Sequence, residues 1–235
     1  MEISTESDYE ILFGGFDKDM NPIEAESKIE DVNEVIKSKE RITPHDLSNI
    51  WKSMTEKIHV IGFYQQKNYE TGCFSNFYKL NYHFDLPYIM LGISEQDKKF
   101  FPSPVKCTTS EKTIMLCKAA LMKDRNIYNK IMKLENPKEI KHLGQQVKPF
   151  NDEKWNEHIC QIAVECVYQK FSKGSEKIKQ CLKNTNSAII AEAAYNDKNW
   201  GIGMGVYDNI SIPANWRGTN ILGWALMETR TQLFL

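Results

Sequence analysis

The sequence predicts an α+β fold, with one helix-rich domain built around a small β-sheet and preceded by an N-terminal helical extension. Three observations predict it. Apolar residues at three- and four-residue spacing recur through the middle and the end of the chain. Only two short apolar runs, residues 59–64 and 187–194, have the β-branched or small-residue character of buried strands. Helical and strand segments do not alternate regularly, which argues against a doubly wound sheet.

Taken in order, residues 1–20 are acidic, contain Gly14 and Gly15, and carry Ile11, Leu12, Phe13 and Phe16 without a sustained period, so loose order is expected there. Residues 23–39 set Ile29, Val32, Val35 and Ile36 at helical spacing. Thr43 and Pro44 ahead of Leu47, Ile50 and Trp51 read as a second helix start with Pro in its first turn. These two helices are expected to pack as an accessory hairpin, making residues 1–57 an acidic, partly helical extension and 58–235 the main domain.

The run 59–64 reads as a strand, and the cluster Phe74-Ser75-Asn76-Phe77-Tyr78 after it is too polar in its centre for another core strand. Residues 82–104 hold Pro87, Gly92, Pro102 and Pro104, the punctuation of a loop or hairpin insertion. Helices are predicted over 110–122, 125–134, 137–143, 152–171 and 175–182. Ala188-Ile189-Ile190-Ala191 then predicts a buried strand ending at Glu192, a Gly-rich turn region follows, and a last helix covers 220–235.

Charge is unevenly placed along the 235 residues: positions 1–50 hold 5 Lys+Arg against 13 Asp+Glu, and the remainder 25 against 18. A basic body attracts phosphate-bearing ligands and nucleic acid, while the acidic segment competes for the same surface or solubilises it. No run approaches the roughly 18 apolar residues that cross a bilayer, and the acidic start is unlike a signal peptide. A soluble intracellular protein, cytoplasmic with a nuclear location left open, is therefore expected, with no membrane partner. The six cysteines form no C-x-x-C pair and the five histidines are scattered, so reduced thiols, no metal and no cofactor are expected. Composition identifies no protein partner.

Three constellations could carry chemistry. Thr108-Thr109-Ser110-Glu111 opens a predicted helix on which Glu111 and Lys118 share a stripe with Ile114 and Cys117. A capping box between Thr108 and Glu111 is one reading of that glutamate, and an inward-facing carboxylate and amine with shifted pKa values is the other. The second is Glu192, Asp197, and Trp200-Gly201-Ile202-Gly203, where glycines could bring backbone N–H groups to a phosphate and an aromatic could stack on a base. A surface turn explains that glycine pattern about as well. The third is polar and aromatic mixing at Ser75, Asn76, Phe77 and Trp155, with Asn220 near the end, of which Asn76 between two aromatics is the least ordinary.

These stretches, in the order Phe63-Tyr64, Phe74-Ser75-Asn76-Phe77, Ser110-Glu111 with Lys118, Leu143-Gly144, Trp155, Lys170-Phe171, Glu192, Asp197-x-x-Trp200-Gly201-x-Gly203 and Asn220-x-Leu222-Gly223 with Leu226-Met227 and Arg230, resemble the NADAR/YbiA-like family from about residue 58 onward. The resemblance implies an α+β YbiA-like domain and an N-glycosidase, a hydrolase that cleaves between ribose C1′ and a nitrogen. Two substrates are implied, ADP-ribose on guanine in nucleic acid, towards which the basic body tilts the reading, and phosphorylated ribosylamino-pyrimidine intermediates of riboflavin biosynthesis. A non-catalytic ADP-ribose or NAD-binding module is a third reading. The chain departs from the family pattern at Lys112, where a histidine is usual, and in the longer segment 82–104, and both departures bear on substrate choice.

An oxocarbenium-like transition state needs negative charge near C1′, an activated water and help for the leaving nitrogen. Glu111 is accordingly read as base or ribose-hydroxyl anchor, Asp197 as the second carboxylate, and Lys118 as either an ion-pairing phosphate ligand or a Schiff-base amine. Trp200 is expected to stack on the base and Gly201 and Gly203 to donate to phosphate. Ser75, Asn76, Phe77, Trp155, Glu192 and Asn220 complete the expected substrate-binding set. The expected partner is thus a phosphorylated ribosyl small molecule or ADP-ribosylated nucleic acid.

Overall fold

A computed structural model describes residues 41–235. The expectations for residues 1–20, for a helix over 23–39 and for its hairpin lie outside the described residues. Helix α1, Pro44–Ser53, begins as the sequence indicates. Thr43 caps it, with Asp46 N–H donating to Thr43 Oγ1 at 3.3 Å and Thr43 N–H to Asp46 Oδ2 at 2.9 Å, so two orphan donors are satisfied reciprocally. Leu47, Ile50 and Trp51 turn inward to a core they share with the strands, and the Trp51 indole donates to Thr219 O at 2.7 Å.

The predicted strands are present as β1, Val60–Phe63, and β4, Ile189–Glu192. They pair in parallel, with Phe63 opposite Glu192. All four residues of β1 and the first three of β4 are buried, as expected for strands covered on both faces, which read as continuous apolar runs. The segment 82–104 proves to be a hairpin with a long connection, since β2, Tyr82–Phe84, pairs antiparallel with β3, Val105–Cys107. The expected small sheet is therefore two separate two-stranded ribbons. Each ribbon buries its apolar positions against helices rather than against a further strand.

The middle helices follow their apolar periods: α2, Ser110–Leu121; α3, Arg125–Met132; α4, Pro137–Gly144; α5, Asp152–Ser172; and α6, Glu176–Lys183. Asp124, Asn136 and Asn151 cap α3, α4 and α5 with side-chain oxygens, and Pro137 opens α4 where its missing N–H costs nothing. Helix α7, Ile221–Phe234, closes the described chain.

Two apolar cores result. One gathers α1, β1, β4 and α7, and the other α2, α3 and the β2–β3 ribbon. Helix α5 forms the wall between them, giving Ile159, Ala163 and Val167 to the first core and Ile162 and Cys166 to the second. Burial of each of the isoleucine and valine side chains contributes about 1.5–3 kcal/mol over exposure. Trp155 and Trp200, both half-buried, pack against both cores and mark the seam where they meet.

Candidate active site

Three carboxyl groups come together at this seam from three elements. Glu111 lies in the first turn of α2, Glu192 ends β4, and Asp197 lies in the loop that follows. The site therefore sits beyond the carboxyl end of a parallel strand pair, where α/β ribbons open towards ligands.

The helix start differs from one of the two readings of Glu111. Thr109, not Thr108, is the N-cap, its hydroxyl accepting the Lys112 N–H at 3.4 Å. Thr108 Oγ1 is buried without a hydrogen-bond partner, so Glu111 is not the return arm of a capping box. Two adjacent threonines offered either register, and the helix begins one residue later. Glu111 is 6% exposed, and among the described residues its carboxyl group makes neither a hydrogen bond nor an ion pair within 4.0 Å. Burial pushes it up to about 7; the Lys141 charge opposes that, Asp197 adds to it, and Lys118 opposes it.

Glu192 is pinned by its backbone. Its N–H donates to Asn220 Oδ1 at 3.0 Å, and Asn220 Nδ2 donates to Ile190 O at 2.9 Å. Its Oε2 is buried and has no partner. Burial pushes this carboxyl up to about 8, with Asp197 raising it, Lys141 lowering it and Glu111 raising it further. Asp197 is half-buried and shapes its own turn, with Oδ1 accepting the N–H groups of Asn199 at 3.1 Å and Trp200 at 2.8 Å.

The Ser75-Asn76 turn supports Glu111 from the other side. Asn76 O accepts the Glu111 N–H at 3.0 Å, and Asn76 Oδ1 accepts from Ser110 Oγ at 3.0 Å. The Asn76 Nδ2 hydrogens have no protein acceptor among the described residues, so a buried amide is left with donors to offer. Ser75 is taken up with the turn itself, its Oγ accepting the Phe77 N–H at 3.1 Å and its carbonyl accepting from the fully buried Lys170 Nζ at 2.8 Å. Phe77, beside it, is half-buried.

Lys118 does not pair with Glu111. Its ammonium stands 4.5 Å from the Phe150 ring centroid and 5.4 Å from that of Trp155, a cation held by aromatic faces rather than by a carboxylate within 4.0 Å. Burial pulls its pKa down, opposed by Asp152 and then Glu111. Lys112, next to Glu111, turns away to donate to Met132 O at 3.1 Å at the end of α3.

The glycines shape the loop after β4. A Cβ on Gly201 would come within 2.6 Å of Glu192 O, so glycine here lets the loop lie against the end of β4. Gly203, at φ +65°, uses its N–H on Asp197 O at 3.1 Å. That donor is spent on the turn rather than offered to phosphate. Asn220 binds β4 backbone with both ends of its amide.

Sequence reasoning named Trp155 but missed Phe150 and Lys141. Phe150 and Trp155 occupy the positions before the Asn151 cap and four residues into α5, the places of a hydrophobic staple, with ring centroids 6.5 Å apart. That spacing was a readable signal. Lys141, the positive charge that most opposes the raised pKa values of both glutamates, had none, being one lysine among many on a basic body. Among the described residues no group of three or more His, Cys, Asp or Glu side chains is placed to hold a metal ion, and no helix is long and apolar enough to cross a membrane.

Comparison with known proteins gives the following likenesses. The NADAR domain profile matches residues 62–234. The chain is 37% identical over 125 residues to N-glycosidase R617 of Acanthamoeba polyphaga mimivirus, covering 53% of this chain and 73% of that protein. It is 32% identical over 170 residues to Protein irg-1 of Caenorhabditis elegans, covering 71% and 78%. The NMR structure of the Escherichia coli protein YbiA superposes with a TM-score of 0.54 at 22% identity, over 76% of this chain and 86% of that one, a likeness of fold.

Proposed function

The chain belongs to the NADAR domain family, and on that premise we propose that it is an N-glycosidase that removes ADP-ribose from guanine in nucleic acid. The observation that carries the reading is a pair of glutamates, the buried Glu111 and the half-buried Glu192 with its Oε2 covered, which have no side-chain partner among the described residues and titrate close to neutral pH beside a third carboxyl group. A site built to hold protons in that range suits acid and base work on a C–N bond. The name of the mimivirus relative agrees with it.

The reaction adds water across the C1′–N bond, with hydroxyl going to C1′ and hydrogen to the guanine amine. In our reading Glu111, poised at about 7, takes the proton from the incoming water or anchors a ribose hydroxyl in its other protonation state. Glu192, neutral at pH 7, donates a hydrogen bond or a proton where the substrate carries its lone pairs. Asp197 completes the negative surroundings of the oxocarbenium-like carbon. Asn76 offers its free Nδ2 hydrogens to the substrate, and the aromatic faces of Trp155 and Trp200 line the approach. Lys118 and Lys141 supply positive charge for the pyrophosphate.

The nucleic-acid reading draws on charge, since residues 41–235 hold 26 Lys+Arg against 19 Asp+Glu. Polynucleotide contacts of that kind weaken steeply as salt rises. The test is mass spectrometry after parallel incubation with an oligonucleotide carrying ADP-ribose on guanine and with a ribosylamino-pyrimidine phosphate. Free ADP-ribose with restored guanine supports the proposal. Cleavage of the pyrimidine alone gives the riboflavin-intermediate reading instead, and binding of ADP-ribose without cleavage of either gives a reader module.

A further inference from the structure

A second recess lies at the opposite end of β4 from Glu192, with Ile189, the first residue of that strand, on its wall. It is a cavity of about 380 Å³ between α1, the end of α6 and α7. Trp51, Trp224 and Phe234 give it apolar walls, and Lys183 and Arg230 give it two cations.

Its polar wall combines the donors of Trp224, Arg230 and Lys183 with Asn186, Ser187, Thr231 and the carboxylate of Glu228. Trp224 is 5% exposed and lines the cavity, yet its indole N–H, which can only donate, has no partner. An unpaired buried donor of this kind costs stability unless something answers it. Arg230 donates through Nη1 to Thr185 Oγ1 at 2.7 Å and to Ala188 O at 2.9 Å. Its remaining guanidinium hydrogens have no hydrogen-bond partner, and no carboxylate lies within 4.0 Å of it, among the described residues. Glu228 is the acidic side chain of the wall, and it has interactions of its own. The Lys183 ammonium sits 5.9 Å from the Phe234 ring centroid, so its charge too is turned to the cavity's aromatic wall.

From these donors, cations and aromatic walls we infer that the cavity is a second ligand site, one that takes a small molecule with an anionic head, carboxylate or phosphate, on a planar apolar body. Arg230 and Lys183 bind the head, a small turn of the Trp224 ring brings its buried N–H to one of the head's oxygens, and the aromatic side chains cover the body. The site is separate from the carboxyl cluster and does not depend on the reaction proposed for it.

Isothermal titration calorimetry of the full chain with phenyl phosphate, benzoate and inorganic phosphate tests this. The expected result is one-to-one binding of phenyl phosphate or benzoate and weaker binding of inorganic phosphate, which lacks the apolar body. Trp224→Phe, which keeps the wall and removes the N–H, and Lys183→Ala, at an exposed position, should each weaken binding roughly tenfold. Lys118→Met should leave it unchanged. The inference is overturned if none of the probes binds at millimolar concentration, if neither Trp224→Phe nor Lys183→Ala alters the affinity, or if Lys118→Met abolishes binding, which would place the probe among the carboxyl groups.

Discussion

Asn220 holds Glu192 by the backbone and leaves its carboxyl group free: Oδ1 accepts the Glu192 N–H at 3.0 Å while Nδ2 donates to Ile190 O at 2.9 Å. The asparagine can do so because it sits at φ 53°, a left-handed conformation that Asn tolerates better than most residues, just before α7. Gly223 one turn on has no room for a side chain, since a Cβ there would lie 2.1 Å from Ile190 O. The start of α7, the end of β4 and the glutamate are thus one unit.

Asn220→Gly keeps the backbone conformation and removes both bonds. It should lower stability by about 1–3 kcal/mol, because a buried N–H and a buried carbonyl lose their partner. It should also lower kcat by roughly 10–100-fold as Glu192 loses its fixed position. Urea denaturation together with turnover on the ADP-ribosylated oligonucleotide measures the two effects; a stability loss with unchanged kcat would make Asn220 a purely structural residue.

The two glutamates give activity a pH window. Turnover should rise as Glu111 ionises through about 7 and fall as Glu192 loses its proton through about 8. Glu111→Gln should cost about 10²–10⁴-fold in kcat. Glu192→Gln, a permanent neutral donor, should keep much more activity and flatten the alkaline limb. A kcat profile from pH 5.5 to 9.5 for the three proteins decides it, and an alkaline limb unchanged in Glu192→Gln would remove Glu192 from the acid role.

Stability should follow the same groups with the opposite cost. Burial raises both folded-state values above the ordinary 4.5, so their favourable contribution is complete below that pH and is lost as pH rises through about 7 and about 8. Glu111→Gln and Glu192→Gln should therefore raise Tm at pH 9 relative to the unsubstituted protein and change it little at pH 4.5. Thermal scans at the two pH values are sufficient, and a lower Tm at pH 9 in both variants would contradict the burial argument.

Much of this organisation was legible in the sequence, and what was not has physical reasons. Helix periods, the helix start at Thr43 and Pro44 and the strand ending at Glu192 depend on neighbours within a few residues, and they were readable. The pairing of Phe63 with Glu192 depends on residues far apart in the chain, and no local pattern encodes its register. The division of the sheet into two ribbons is set by α5 passing between the cores, again a tertiary matter. Gly201 and Gly203 were conspicuous by type, but type does not say whether an N–H is offered to a ligand or used by Asp197 O. Lys141 counts through its position in space alone.

Lys141 opposes the burial of both glutamates, so its removal has a definite sign. Lys141→Met takes away a positive charge that lowers both carboxyl pKa values, and the whole pH window should move upward. At pH 6.5 the variant should be slower than the unsubstituted protein, and the difference should shrink towards pH 8. A window that stays in place would mean that solvent screens Lys141 from the site.

Lys118 separates two chemistries. Among the described residues its amine has no carboxylate within 4.0 Å and burial pulls its pKa down, both of which favour the neutral, nucleophilic amine, while the aromatic faces beside it favour the ammonium. If it attacks C1′ of the opened sugar, the guanine amine leaves with a proton and a Schiff base to Lys118 remains until water hydrolyses it. Sodium borohydride added during turnover should then reduce that imine and leave ADP-ribose covalently on Lys118, found by peptide mass spectrometry and missing in Lys118→Arg. Without any adduct in the unsubstituted protein, Lys118 keeps its charge through the reaction and serves the pyrophosphate, leaving Glu111 to activate water directly.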